Sequence, residues 1–159
     1  MRGLTYFRMA AFFVLGALAH WWWTTYLSFW GIAPQFLLVL TFVVAARRGP
    51  IPAMCFGFAW GTVLDVYALH LMGGASLALT LAGYLVGNIR RQVDVSSIAP
   101  QSVIIIVGTW AFFLFTGFLG LVFMRHFAWP GWGLFLLAPV YNCVLAPALF
   151  RLWDATVES

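Results

Sequence analysis

A chain of 159 residues that is 64% hydrophobic and only 8% charged has too little polar surface to cover a water-soluble globule of its size. The formal charge of +4 rests on eight basic residues that are all arginine and stand singly or in pairs at the ends of apolar runs. That pattern is a topology signal, so the charge excess does not indicate nucleic-acid binding, and the chain reads as an integral membrane protein.

Several apolar runs approach the roughly 20 helical residues that cross a hydrocarbon core, and none alternates as an outer-membrane barrel strand does. Six spans are expected, near 9–27, 34–46, 52–69, 73–89, 101–124 and 132–152, within one membrane domain over 1–159. The first follows Arg2 and Arg8 and imitates a signal peptide at Ala17-Leu18-Ala19, but the bulky His20-Trp21-Trp22-Trp23 continues it, so it is expected to stay uncleaved. The second, at about 13 residues, rises only about 20 Å. It must borrow residues before Pro34, thin the bilayer, run partly re-entrant or sit within protein. Gly49-Pro50-Ile51-Pro52 then turns the chain into the third span, and Pro52 suits a first helical turn. Between the fourth and fifth spans, Arg90 to Pro100 reads as the one polar loop, carrying Asp94. Trp30, Trp129 and Trp132 fall at span ends, where indoles favour the headgroup layer.

With a cytoplasmic N-terminus, Arg2, Arg8, Arg47, Arg48, Arg90, Arg91 and Arg151 lie inside and only Arg125 outside. Dropping the second span would move arginines across the membrane and spoil this asymmetry. Both termini are therefore expected in the cytoplasm.

Asp65 is the conspicuous residue, an ionisable group in the apolar third span. A mid-membrane aspartate costs about 2.5 to 3.5 kcal/mol on insertion scales, which marks it as a site or a specific helix contact. Ala53, Gly57, Gly61 and Asp65 are four residues apart, drift only about 40° per step and share one helix face. Two roles fit this stripe equally, packing within the chain or binding a partner or ligand. Gly83 and Gly87 form a second close-packing pair, and Ala138, Asn142 and Ala146 repeat the spacing in the sixth span, where Pro139 and Pro147 loosen the helix. Asn142 is the expected partner of Asp65, since each would otherwise leave polar groups in hydrocarbon. Prolines in that span free carbonyls that either line a cavity or only shape packing.

Chemistry has little material here. His20, His70 and His126 lie on different segments without ligand spacing, Cys55 and Cys143 fall in apolar segments, and no metal or cofactor is expected. Four acidic residues, three of them expected outside the bilayer, do not furnish a paired acid and base. An enzyme is disfavoured.

Gly31-Ile32-Ala33-Pro34 before an apolar span, Arg48-Gly49-Pro50, and the ordered set Gly57, Phe58, Gly61, Asp65, Gly73, Leu77, Gly83, Tyr84, Gly87 together resemble the rod shape-determining protein MreD family. Pro139, Asn142 and Ala146 match its C-terminal pattern, and Gln35 departs from the acidic residue common after the proline. The resemblance implies an all-α, six-helix bundle similar to the substrate-binding subunit of energy-coupling-factor transporters. It also implies a non-enzymatic role in bacterial cell shape and lateral peptidoglycan synthesis at the inner membrane. MreC would be the direct partner, with MreB, RodA and a class B penicillin-binding protein in the same assembly. The small-residue face of Ala53, Gly57, Gly61, Asp65, Gly83, Gly87 and Asn142 would pack helices of the bundle or hold MreC's span. Arg47, Arg48, Arg90 and Arg91 would set topology or meet MreB or anionic lipid. The rival reading is a membrane subunit of a transporter that binds a small solute, with Asp65 and the kinked sixth span as its support; a lipid-handling protein with a lateral groove beside Pro34 is a third.

Overall fold

The computed structural model describes residues 2–26, 35–67, 72–90 and 97–157. Among them are six α-helices: α1 (Arg2–Tyr26), α2 (Phe36–Arg48), α3 (Pro50–Tyr67), α4 (Gly74–Ile89), α5 (Ile98–Met124) and α6 (Trp132–Val157). The Gly31–Pro34 run, Trp30, His70, Arg91, Asp94 and Glu158 lie outside the described residues. Two helices, α5 and α6, are long and apolar enough to cross a membrane by length and composition. The exterior is apolar too: Val66, Phe118 and Val144 are more than half exposed. An apolar surface of this extent suits lipid and not water.

The shortness of α2 has a direct explanation. Every residue from Phe36 to Ala45 is buried, and α2 touches each of the other five helices. A helix that is apolar all round belongs in the middle of a bundle, where its roughly 20 Å length need not match the bilayer. Of the alternatives open for this segment, it sits within protein. Phe12 of α1, Trp60 of α3, Leu79 of α4, Ile105 of α5 and Trp153 of α6 join α2 in one apolar cluster. At Gly16 a side chain would strike Leu40 Cδ1 at 2.6 Å, so α1 lies directly on α2.

The ends of the helices differ from expectation in ways that matter. Gly49, with φ of 95°, ends α2 in a conformation side chains avoid and lets α3 start at Pro50, so Pro50 and Pro52 share its first turn. α5 begins at Ile98 and takes Ile98 to Pro100 out of the expected polar loop. α6 runs five residues beyond the expected boundary of 152, to Val157. That extra turn carries Asp154 to Arg47, whose Nη2 donates to Asp154 Oδ2 at 2.7 Å.

Pro139 inside α6 cannot donate to Phe135 O, and the indole Nε1 of Trp110 on α5 donates to that carbonyl at 3.0 Å. The freed acceptor thus becomes a bond between α5 and α6.

Candidate functional site

Among the described residues, α3 and α4 approach to backbone contact, and the small residues explain why. A Cβ on Gly57 would meet Leu79 O at 2.5 Å, and one on Gly61 would overlap Ser76 Cα. From the other side, a Cβ on Gly83 would meet Ala53 O at 2.9 Å and one on Gly87 would meet Pro50 Cα at 2.5 Å. These contacts are backbone, so no side-chain rotation relieves them. The stripe of Ala53, Gly57 and Gly61 therefore faces α4 of its own chain, which leaves no gap there for a foreign helix.

Asp65 completes the same seam. It lies two residues from the end of α3, opposite the start of α4, and not at mid-depth in an apolar run. The N-cap position of α4 is Gly73, which has no side chain to cap with. Asp65 does this from α3: the N–H of Ala75 donates to Oδ1 at 2.9 Å, and the N–H and hydroxyl of Ser76 donate to Oδ2 at 3.0 and 2.7 Å. A carboxylate at a helix N-terminus satisfies open donors and meets the positive end of the helix dipole. With 6% of its surface exposed, Asp65 is a buried charge with a complete set of partners.

Asn142, the partner expected from the amino-acid order, does not bond to Asp65. The amide lies wholly buried on α6, where its Oδ1 accepts from the N–H of Gln35 at 3.0 Å and its Nδ2 donates to Thr109 Oγ1 at 3.1 Å. Thr109 in turn donates to Ile105 O. Asn142 thus ties the start of α2 and the middle of α5 to α6, while Asp65 is consumed by α4.

The arginines gather at one end. Arg47 pairs with Asp154 and its guanidinium lies 5.3 Å over the Phe150 ring, while Arg90 Nη1 donates to Ala46 O at 3.2 Å. A cation at the C-terminus of α2 opposes the negative end of that helix. Arg48 and Arg151 lie beside these groups in the chain, and Arg8 shares a groove with Thr156, so all sit at this end, whereas Arg125 ends α5 at the opposite one.

Of the grooves lined by the described residues, two are the most nearly apolar. One runs between α4 and α5, with Ala82, Val86, Ala99, Val103 and Ala111 in a recess of about 580 Å³ that continues past Ala78 into a second of about 350 Å³. The other lies between α1 and α6 over Phe36 and Leu40 of α2. Among the described residues no three His, Cys, Asp or Glu side chains come together to hold a metal ion.

A family model described as rod shape-determining protein MreD matches residues 1–155. The chain belongs to the MreD family. No curated protein and no solved structure matches it. Membership places the chain in a membrane-associated family that determines rod shape.

Three residues that matter in this MreD-family chain escaped the sequence reading: Ser76, Thr109 and Asp154. Each is a polar group whose partner lies on another helix. The available signal was negative: a helix opening on Gly73-Gly74 without a capping side chain requires a donor-satisfying group from elsewhere.

Proposed function

We propose that the chain is a non-enzymatic subunit of the bacterial cell-elongation assembly that spans the inner membrane six times, keeps both termini in the cytoplasm and holds the single span of MreC. Membership in the MreD family carries this reading. It is supported by the concentration of arginines at one end of the bundle, as expected of a cytoplasmic face. The likeness to the substrate-binding subunit of energy-coupling-factor transporters, and the company of MreB, RodA and a class B penicillin-binding protein, rest on the same resemblance.

Since the glycine stripe is occupied by α4, the partner's span is assigned to the α4–α5 groove. From Ala99 to Phe115 the groove follows α5 for about 24 Å, most of a hydrocarbon core of about 30 Å. Ala78, Ala82, Ala99 and Ala111 keep its floor low, so a helix can approach to backbone distance. A small-solute reading would need polar groups converging on a cavity, and aliphatic and aromatic side chains line this one.

The test is recovery of MreC with this chain after mild detergent extraction. Ala82→Phe and Ala111→Phe, which fill the groove from either wall, are expected to lower recovery at least tenfold at unchanged membrane levels. Undiminished recovery with both would take the contact away from this groove.

A further inference from the structure

We propose that the groove between α1 and α6 binds one anionic glycerophospholipid, with an acyl chain along α1 and the phosphate on Arg8. Arg8, Ala11, Leu15 and Ala19 recur at helical spacing on one face of α1, and Leu152 and Thr156 of α6 form the opposite wall. From Arg8 to Ala19 the groove runs about 16 Å, close to half of a hydrocarbon core of about 30 Å. It is therefore one leaflet deep, unlike the groove between α4 and α5. Its volume is about 280 Å³, against about 580 and 350 Å³ for the two recesses of that longer groove. A groove of that length suits one acyl chain and is too short to seat a transmembrane helix along its span.

Charge selects the headgroup. Among the described residues Arg47 is engaged by Asp154 and Arg90 by Ala46 O, while Arg8, like Arg48, Arg125 and Arg151, has no carboxylate or hydrogen-bond partner, and of these only Arg8 lines the groove. A guanidinium at the mouth of an apolar groove lacks an anion, and its planar fork matches a phosphate. Assignment to the cytoplasmic leaflet rests on the topology proposed above; the lipid site itself does not.

Native mass spectrometry of the purified full-length chain, without MreC, tests the site with equimolar phosphatidylglycerol and phosphatidylcholine of identical acyl chains. One arginine contact is expected to favour phosphatidylglycerol about fivefold. Arg8→Gln should abolish that preference, Arg8→Lys should keep most of it, and Ala11→Phe, by filling the groove, should reduce retention of both lipids. Arg151→Gln, at an exposed arginine of α6 away from the groove, should change nothing. The proposal is overturned by equal binding of the two lipids, or by an Arg8→Gln chain of unchanged thermal stability that retains the preference. It also fails if Arg151→Gln removes the preference as fully as Arg8→Gln, which would mark diffuse surface attraction. If Ala11→Phe leaves lipid retention intact and instead alters the oligomeric mass, the groove belongs to a second copy of the chain. Since MreC is absent from the measurement, its outcome is independent of the α4–α5 assignment.

Discussion

Replacing Asp65 separates two contributions that its geometry combines, a hydrogen-bond acceptor and a negative charge at a helix N-terminus. Asp65→Asn keeps one acceptor for the first turn of α4 but turns an NH2 toward a second donor and removes the charge. The expected loss is about 1 to 2 kcal/mol. Asp65→Leu leaves the Ala75 and Ser76 N–H groups both without partners, and at about 1 to 3 kcal/mol for each buried unsatisfied group the loss should exceed that of Asn clearly. Thermal unfolding in detergent ranks the two. Equal melting temperatures would mean that the carboxylate does not act as the cap of α4.

At the scale of elements, the glycines of α3 and α4 set how close two helices come, and Gly61→Ala and Gly133→Ala should differ in sign. The first drives a methyl group into Ser76 Cα, which only a shift of α4 relieves, at a cost of about 1 to 3 kcal/mol. The second adds a methyl group into open space within α6 and should raise stability by about 0.5 to 1 kcal/mol through helix propensity. Denaturation midpoints of the two variants against the parent chain check this, and destabilisation by both would show that glycine itself, and not the seam, is what counts. The four-residue spacing of Ala53, Gly57, Gly61 and Asp65 made the existence of a close-packed face legible from the amino-acid order. It left open what that face meets, because spacing describes one helix and contact needs two. The helices were legible by their apolar length, and their ends less so: α6 continues to Val157 because Asp154 finds Arg47 on α2, a partner 107 residues away. Asp65 and Asn142, expected to meet each other, each bond to other groups. A backbone N–H at a helix start is as good a donor as a side-chain amide and leaves no mark in the amino-acid order.

For the whole molecule, the direction of α2 decides the topology. Its C-terminal end lies with Arg47, Arg90 and Asp154, its N-terminal end is bonded to Asn142, and its sides are covered by the other helices, so it never has to meet lipid along its length. A buried helix of about 20 Å can still carry the chain across, provided that its ends reach water through the surrounding protein. If it does, the crossings are even in number and Val157 shares a side with Arg8, as the groove that joins Arg8 to Thr156 requires. A fluorescent protein that folds only in the cytoplasm, fused after Val157, should then be bright. Alkaline phosphatase, which is active only outside it, should work when inserted between Trp129 and Pro130 and be silent after Val157. Phosphatase activity at Val157 would make the number of crossings odd, and would put Arg8 and Thr156, which line one groove, on opposite sides of the membrane.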